Sequence, residues 1–276
     1  METIATQGVK IPRLGLGTYR LAGSDAQAPV ESAIALGYRH IDTATMYDNE
    51  AGVGAGIAAS GIKRSELFVT TKVWHDQLAP HAVERAFDTS LSKLKLDYVD
   101  LYLVHWPSPE MDMGATLEAL LSLRERGLVR AIGVCNFNLP MIRHAVEKVG
   151  APIACHQIEY HPFLSQAPML SYLRSKGIPL TAYCPLAQGR AASDATLNQI
   201  GQKHGASAAQ IAIAWLMDQE GVIAIPKAGR PESQKANLAA LDIELDDADR
   251  AAIAALPKDQ RFVRPSFGPD WDATAA

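Results

Sequence analysis

The fold is decided by the stretch YVDLYLVHWPSPEMDMGATLEALLSLRERGLVRAIGVCN (98–136). Its two ends, YVDLYLVH (98–105) and VRAIGVCN (129–136), are short apolar runs of the kind that form buried strands. Between them, apolar side chains recur at helical spacing over 114–126, and Gly127 follows where a left-handed residue would end the helix. Two strands joined by a helix pair in parallel, because a parallel connection needs a crossover.

The same alternation continues along the rest of the chain. Six other apolar runs are predicted to be buried strands: 13–18, 38–42, 67–72, 153–157, 178–183 and 222–226. Seven other segments have helical periodicity: 26–36, 49–59, 80–94, 138–149, 166–176, 193–218 and 231–240. Ser207 and Gln210 have the spacing of a helix capping box. Eight strands alternating with eight helices predict an α/β fold, a (β/α)8 TIM barrel.

An open doubly wound sheet is the competing architecture. Its usual fingerprint is G-x-G-x-x-G between the first strand and the first helix. Here Gly15 and Gly17 are followed by Thr18-Tyr19-Arg20, and no third glycine comes in register. The closed barrel is therefore favoured.

No linker or low-complexity tract divides the 276 residues, so a single domain over 1–276 is predicted. Residues 1–12 are expected to form a hairpin that closes the barrel floor. A helical stretch at 246–256 and a short tail to Ala276 lie outside the eight repeating units.

The composition is that of an ordinary soluble globular protein. Charged residues make up 20% and the formal net charge is -4, which argues against broad nucleic-acid binding. Cys135, Cys155 and Cys184 form no C-x-x-C pair, which indicates a reducing compartment. No signal-peptide pattern is visible, and the most apolar stretch, 211–217, is far shorter than the roughly 20 residues that span a bilayer. A cytoplasmic protein without nucleic-acid or membrane partners is expected.

Polar residues stand at the ends of the predicted strands, where a (β/α)8 barrel places its chemistry. They are Asp42, Lys72, His105, Asn136, Gln157, Tyr183 and, just past the last strand, Lys227. Tyr47 follows Asp42 by five residues, in the loop before the second helix. The fold would bring these residues, which are distant in the sequence, into one ring.

Each of these residues also has an ordinary structural role open to it. An Asp after a strand is usually a helix cap or turn residue, and a Lys there is usually solvated. His105 alone is more often a hydrogen-bonded structural histidine, and Tyr47 alone a packing residue. A buried Lys and a buried Asp together are costly unless they pair, and a pair between Asp42 and Lys72 would satisfy both.

Such a pair would make Tyr47 reactive. The pKa of a tyrosine hydroxyl is near 10, and a neighbouring ammonium is expected to lower that pKa. Tyr47 would then serve as a general acid or base, while His105 orients a substrate oxygen. The sequence shows no Ser or Cys beside a suitable base and no close Cys/His set, so neither a nucleophilic triad nor a metal site is predicted.

Seven motifs, in order and over nearly the whole chain, resemble the aldo-keto reductase family. They are GLGTYR (15–20), GYRHIDTATMYDNE (37–50), TTKVW (70–74), LDYVDLYLVHWP (96–107), IGVCNF (132–137), HQIEYHP (156–162) and AIPKAGRPESQKANL (224–238). The resemblance implies the barrel fold and a catalytic tetrad that falls on Asp42, Tyr47, Lys72 and His105. Within the family, the chain looks most similar to the bacterial 2,5-diketo-D-gluconate reductase branch.

The resemblance also implies a nicotinamide cofactor, usually NADPH, extended across the barrel top. Tyr183 falls where a family tyrosine stacks on the nicotinamide ring, and Asn136 and Gln157 fall where the family binds its carboxamide. Trp74 and Trp106 fall at substrate-pocket positions, with core packing as the alternative for either. The other positions that the resemblance assigns to the cofactor are Gly17, Thr18, Leu186, Gln188, Lys227, Arg230 and Asn237.

Two departures from the family pattern concern the cofactor. Cys135 stands where serine is common, so one carboxamide contact is expected to be lost or altered. In the phosphate-binding segment, Ala228 replaces a common serine and Ser233 a common arginine. Lys227, Arg230 and a helix N-terminus would still bind a phosphate, which predicts a preference for NADPH with weakened discrimination against NADH.

The reaction that the resemblance implies is reduction of a small aldehyde or ketone, with the proton coming from Tyr47. The segment 108–114 and the tail after Phe262 are short, which predicts an open site for small polar carbonyls of the 2,5-diketo-D-gluconate, methylglyoxal or beta-keto ester type. Two other functions stay open: a lyase that forms a Schiff base on Lys72, and a non-catalytic nicotinamide-binding member of the fold. A monomer is expected.

Overall fold

The structure is a computed structural model that describes residues 1–273. The chain begins with an antiparallel hairpin of two strands, β1 (Thr3–Thr6) and β2 (Val9–Pro12). Ile11 is buried in a cluster with Phe68 and Ile223, which lie inside the barrel described next. The hairpin therefore closes the barrel floor, as predicted for residues 1–12.

Eight parallel strands form the barrel, and neighbours in the sheet are neighbours in the chain. They are β3 (Leu16–Gly17), β4 (His40–Asp42), β5 (Phe68–Val73), β6 (Val99–Val104), β7 (Val129–Cys135), β8 (Ile153–Glu159), β9 (Leu180–Tyr183) and β10 (Val222–Ala224). The sheet closes on itself because the Gly15 N–H donates to the Ala224 carbonyl at 2.9 Å and the Gly17 N–H to the Pro226 carbonyl at 3.1 Å. The predicted (β/α)8 barrel is confirmed, and the open sheet is excluded.

Residues 1–273 contain eleven α-helices: α1 (Gln27–Ala35), α2 (Glu50–Ala59), α3 (Pro80–Leu94), α4 (Met113–Glu125), α5 (Leu139–Arg143), α6 (Ala167–Ser175), α7 (Arg190–Ser193), α8 (Ala195–His204), α9 (Ala208–Met217), α10 (Pro231–Ala239) and α11 (Asp247–Ala254). For most of them the predicted bounds agree with the structure to within two residues. None of the helices in this part of the chain is long and apolar enough to cross a membrane.

Two predicted helices differ from the structure. The segment 138–149 starts as α5 and continues as a π-helical turn over His144–Lys148. The segment 193–218 contains two main helices, because Gly205 takes a left-handed conformation (φ 61°) and ends α8. Ser207 then caps α9 in a capping box with Gln210, as the spacing of the two residues predicts. Because a capping box forms at the start of a helix, its presence within 193–218 already indicated that a new helix begins there.

Side chains of the strands alternate between two apolar regions. Leu101 and Leu103 of β6 lie in the barrel interior, whereas Tyr102 and Val104 pack in the cluster shared with the surrounding helices. By the same alternation, Lys72 of β5 belongs to the inward-facing set, at the carboxyl end of its strand. The single domain predicted over 1–276 stays a prediction, and residues 274–276 lie outside the described residues.

Helix α2 approaches the end of α3 very closely at Gly54. A Cβ atom at this position would collide with the backbone carbonyl of Leu94. Because a backbone carbonyl cannot move aside as a flexible side chain can, only glycine fits here. In contrast, a Cβ atom on Gly114 in α4 would have its nearest neighbour at 3.5 Å, an ordinary contact distance.

We expect Gly54→Ala to lower the free energy of unfolding by about 1–3 kcal/mol, the usual cost of overpacking. The matched control, Gly114→Ala, should leave stability unchanged or slightly raised, because alanine is the better helix former. Urea unfolding followed by circular dichroism measures both variants. Equal stability of the two would contradict the close packing of α2 on α3.

Candidate active site at the carboxyl ends of the barrel strands

Four side chains singled out from the sequence meet at the carboxyl-terminal rim of the barrel. Asp42 is the last residue of β4, Lys72 is the last but one of β5, and His105 directly follows β6. Tyr47 ends a single 3-10 turn, Thr45–Tyr47, in the loop between β4 and α2. Since parallel strands end at one rim, the fold brings these residues together, as the sequence analysis expected.

Asp42 and Lys72 form a fully buried ion pair. Lys72 Nζ donates to Asp42 Oδ1 at 2.5 Å and to the Thr43 carbonyl at 2.8 Å, and it lies 3.4 Å from the Tyr47 hydroxyl. Gln157 Nε2 donates to the other carboxylate oxygen at 2.8 Å. Because a buried charge is costly unless it is paired and hydrogen-bonded, these contacts are what allow the pair to exist inside the barrel.

The pKa of Tyr47 departs from the expectation. Enclosure of the side chain raises this pKa and the Lys72 ammonium lowers it; enclosure prevails, and the pKa rises to about 12. The prediction of a net lowering is therefore wrong, although the ammonium acts in the predicted direction. Burial also acts to lower the pKa of Lys72, but Asp42 and Tyr47 outweigh it and the pKa is raised. At neutral pH the phenol is protonated and the lysine is charged.

His105 faces the Tyr47 ring. The two ring centroids are 5.5 Å apart at 77°, and the Trp74 ring lies 5.0 Å from His105 on another side. Burial, and then the charge of Lys72, hold the pKa of His105 well below its usual value. The imidazole is therefore neutral, and it can donate one hydrogen bond without adding a second positive charge to the site.

Asn136, which directly follows β7, connects His105 after β6 with Tyr183 at the end of β9. Its backbone is left-handed (φ 59°), its Nδ2 donates to the His105 carbonyl at 2.9 Å, and its Oδ1 accepts from the Tyr183 hydroxyl at 2.7 Å. Gln157, one strand along, is bound to Asp42. The residues expected to hold a nicotinamide ring and those expected to carry the chemistry thus belong to one hydrogen-bonded group.

Gly17 and Thr18 lie at the end of β3, beside Asp42. A Cβ atom on Gly17 would lie 2.5 Å from the Ile225 carbonyl, so glycine is required where the barrel closes. Thr18 is buried and its hydroxyl donates to the Asp42 carbonyl at 2.9 Å. Both residues therefore have a structural role in the rim, alongside the cofactor role that the resemblance implies.

Leu186 and Gln188 lie in the strained turn after β9. Cys184, Ala187 and Gln188 all have positive φ, between 49° and 54°, which is rare for residues with side chains. Leu186 is half-buried and Gln188 is exposed. Strain of this kind concentrates at ligand-binding segments, which fits the role that the resemblance implies for the turn.

The last three predicted cofactor residues lie near α10. Lys227 and Arg230 are exposed, and Arg230 occupies the residue just before the helix. Asn237, further along α10, is buried beside the Tyr38 hydroxyl. Lys227 and Arg230 are thus free to meet a ligand at the helix N-terminus, whereas Asn237 is mostly enclosed.

Sequence reasoning missed the aromatic side chains near the carboxyl terminus. Phe267 packs edge-on against Trp74 and Trp106, each with ring centroids 5.7 Å away, and Trp271 lies 6.1 Å from Trp106. Trp106 is only 4% exposed. This side of the site is therefore walled, which differs from the open site that the short loops predicted. The signal in the sequence was the presence of Phe267 and Trp271 in the tail after Phe262, among prolines and charged residues.

A sequence model of the Aldo/keto reductase family matches residues 13–258. This chain belongs to the aldo/keto reductase family. Methylglyoxal reductase DkgB of Escherichia coli O157:H7 is 43% identical over 266 residues, which are 95% of this chain and 99% of that protein. Glyoxal reductase of Bacillus subtilis (strain 168) is 41% identical over 255 residues, 92% of each chain. A crystal structure provisionally described as a 2,5-diketo-D-gluconic acid reductase B superposes with a TM-score of 0.96 at 41% identity, covering 99% of this chain and 98% of that one.

As an aldo/keto reductase, the protein is an oxidoreductase of carbonyl compounds, and the resemblance found in the sequence is confirmed. The departure at Cys135 has a clear physical character in the structure. The side chain is fully buried, and burial raises the pKa of its thiol well above the usual value. Cys135 is therefore a neutral thiol, a weaker hydrogen-bonding group than the serine hydroxyl common at this position.

We expect Asp42→Asn to lower the free energy of unfolding of this reductase by about 3–5 kcal/mol, because it leaves the buried Lys72 ammonium without its counter-charge. Adding Lys72→Met to that variant should recover part of the loss. Urea unfolding provides the measurement.

The matched control for this substitution is Glu84→Gln. It breaks the half-exposed pair between Glu84 and Arg126, whose N–O distance is 3.7 Å, and should cost less than about 1 kcal/mol. A similarly small loss for Asp42→Asn would show that the buried pair does not stabilise the barrel rim.

Proposed function

We propose that this aldo/keto reductase is an NADPH-dependent reductase of small aldehydes and ketones in which Tyr47 donates the proton. The observation that carries the proposal is the chain of contacts from Asp42 through Lys72 to the Tyr47 hydroxyl, with the neutral His105 ring beside it. A protonated phenol, backed by a lysine that stays charged, is suited to give up its proton when negative charge develops on a carbonyl oxygen.

The residues divide the work as follows. A nicotinamide cofactor, when bound, supplies the hydride for the carbonyl carbon. His105 donates a hydrogen bond that aims the carbonyl oxygen, and the Tyr47 hydroxyl passes its proton to that oxygen. The Lys72 ammonium stabilises the phenolate that is left, and Asp42 keeps the lysine charged. Removal of Lys72 would therefore make release of the proton harder without moving the phenol.

The rim residues fit a nicotinamide group. Gln157 Nε2 donates a hydrogen bond to Asp42, which leaves Gln157 Oε1 to accept a carboxamide N–H. Tyr183 is held by Asn136 through its hydroxyl, which leaves the half-buried ring available for stacking. Gln157 would thus connect recognition of the carboxamide to the carboxylate that supports Lys72.

The preference for NADPH rests on residues at the start of α10. Lys227 and Arg230 are exposed there, and the first turns of a helix present free N–H groups that bind phosphate. Glu232 in the first turn, together with the departures Ala228 and Ser233, weakens this site. We therefore propose that NADPH is preferred and that NADH is also used.

The substrates we propose are small 2-oxoaldehydes and 2-keto sugar acids, of the methylglyoxal and 2,5-diketo-D-gluconate type, and beta-keto esters. The names of the relatives from Escherichia coli O157:H7 and Bacillus subtilis support the 2-oxoaldehydes, and that of the provisionally described crystal structure supports the keto sugar acids. The wall formed by Phe267, Trp74 and Trp106 suits compact substrates, because it narrows the space above His105.

The Schiff-base alternative is disfavoured by the state of Lys72. An amine must be unprotonated to attack a carbonyl carbon, whereas Lys72 is paired with Asp42 and its pKa is raised. The non-catalytic alternative is disfavoured by the presence of all four tetrad side chains in mutual reach. We further propose that the protein acts as a cytoplasmic monomer on small molecules, without nucleic-acid partners.

We expect Tyr47→Phe to lower kcat for methylglyoxal reduction at least about a hundredfold, the low end for a lost general acid. The loss of NADPH absorbance at 340 nm measures the rate. Tyr98→Phe is the matched control, because Tyr98 lies just before β6 at the opposite end of the barrel, against Arg64 and Arg130. Near-normal turnover of Tyr47→Phe would remove Tyr47 from the mechanism.

Arg230→Ala should raise the KM for NADPH about tenfold, which corresponds to about 1.4 kcal/mol, and leave the KM for NADH almost unchanged. The reason is that only NADPH carries the additional phosphate. Steady-state kinetics with both cofactors test this, with Arg126→Ala as the control. If both KM values rise together, the assignment of Arg230 to the phosphate is wrong.

A further inference from the structure

The chain beyond α11 crosses the carboxyl-terminal end of the barrel. We call residues 260–273 the C-terminal segment. It is attached at its start by the Gln260 N–H, which donates to the Phe163 carbonyl at 3.0 Å. Near its end, the Asp270 carbonyl accepts from Asn138 Nδ2 at 2.9 Å. Between these points it contributes Phe267 to the aromatic wall of the site.

The Glu159 carboxylate accepts two backbone N–H groups of the C-terminal segment. This residue ends β8, is fully buried, and accepts the backbone N–H of Phe262 at 2.7 Å and that of Val263 at 3.0 Å, one on each carboxylate oxygen. His161 Nε2 lies 3.0 Å from Oε1, and Arg261 Nη1 lies 3.9 Å from Oε2. One carboxylate thus contacts three consecutive residues of the segment.

These contacts keep the carboxylate charged. Burial alone would raise the pKa of Glu159, but the hydrogen bonds from His161, Phe262 and Val263 outweigh burial and lower that pKa. Hydrogen bonds to a charged acceptor are shorter and stronger than those to a neutral one. An ionised Glu159 is therefore a strong anchor for a segment that has no helix or strand of its own.

The anchor lies next to the aromatic wall. Arg261, whose side chain is 7% exposed, stacks its guanidinium on the Trp271 ring at 3.8 Å. Phe267 follows Val263 by four residues and reaches Trp74 and Trp106. Glu159 is therefore connected to the wall in two ways. Phe267 follows the anchored Val263 closely in the chain, and Arg261 stacks on Trp271.

We propose that Glu159 is a positioning residue of this reductase: it anchors the C-terminal segment so that Phe267 and Trp271 complete the substrate pocket. Glu159 acts through the segment and not on the reacting atoms, so it controls substrate binding more than proton transfer. The location of the substrate beside Trp74 and Trp106 rests on the proposed function.

The first test is the steady-state kinetics of Glu159→Gln with phenylglyoxal, a 2-oxoaldehyde large enough to touch both rings. The amide has the same shape as the carboxylate but no charge. Its NH2 group is a donor, so it cannot accept the backbone N–H that one carboxylate oxygen now accepts. We expect the KM to rise about tenfold while kcat changes less than threefold. Glu147→Gln, at an exposed glutamate paired with Lys176, is the matched control and should change neither. A fall in kcat at unchanged KM would overturn the proposal.

A double-mutant comparison tests whether Glu159 acts through the wall. In a Phe267→Ala background, where the wall is already lost, Glu159→Gln should raise the KM less than twofold. If the tenfold effect persists in that background, the effect of Glu159 does not pass through the C-terminal segment.

Limited trypsin digestion gives a readout that does not depend on activity. The Arg261–Phe262 bond is a trypsin site on a nearly buried arginine, whereas Arg264 precedes proline and is resistant. Mass spectrometry should show fragment 262–276 released at least tenfold faster from Glu159→Gln than from the unaltered protein or from Glu147→Gln. Equal rates would overturn the proposal, even if the unaltered protein reduced no carbonyl and the proposed function failed.

Val263→Pro tests the same anchor without a substitution in a barrel strand. It removes one N–H donor to Glu159 and leaves β8 untouched. If Glu159→Gln does not fold, this variant should show the same rise in KM and the same faster release of fragment 262–276. Normal kinetics and normal protection in Val263→Pro would contradict an anchor at this carboxylate.

Discussion

The buried ion pair between Asp42 and Lys72 is the constraint on which the rest of the site depends. Two charges inside a barrel are tolerated only when every donor and acceptor is satisfied, and here the partners come from four places: the Thr43 carbonyl, the Tyr47 hydroxyl, Gln157 and the pair itself. This requirement fixes the ends of β4, β5 and β8 relative to one another. A geometry needed for stability thereby also places a phenol and an ammonium in contact.

Tyr47, Lys72 and His105 are all enclosed, yet two of them are neutral and one is charged. Burial makes the His105 imidazole neutral and keeps the Tyr47 phenol protonated, whereas Lys72 stays charged because Asp42 compensates the burial. The result is an ammonium paired with a carboxylate, beside two neutral hydrogen-bond donors. Donors held in place in this way can stabilise negative charge that develops on an oxygen, which is how a preorganised polar site lowers a barrier.

Much of this arrangement is visible in the sequence, because parallel strands must end at one rim. Asp42, Lys72 and His105 could be found from the strand pattern alone, and the capping box at Ser207 contradicted the single long helix assigned there. The net pKa of Tyr47 could not be predicted, because burial and the Lys72 ammonium act on it in opposite directions, and the sequence does not show which prevails. The wall formed by Phe267 and the anchor at Glu159 were also missed, since a segment without periodicity gives no sequence signal for where it lies.

The hairpin of β1 and β2 has a practical consequence for anyone producing this enzyme. It closes the end of the barrel opposite to the rim that holds Asp42 and Lys72, and Met1 is half-exposed there. The last described residues, in contrast, run beside Trp106 and Asn138. An affinity tag or a fusion partner therefore belongs at the amino terminus, since the same addition at the other end would crowd the carboxyl ends of the barrel strands.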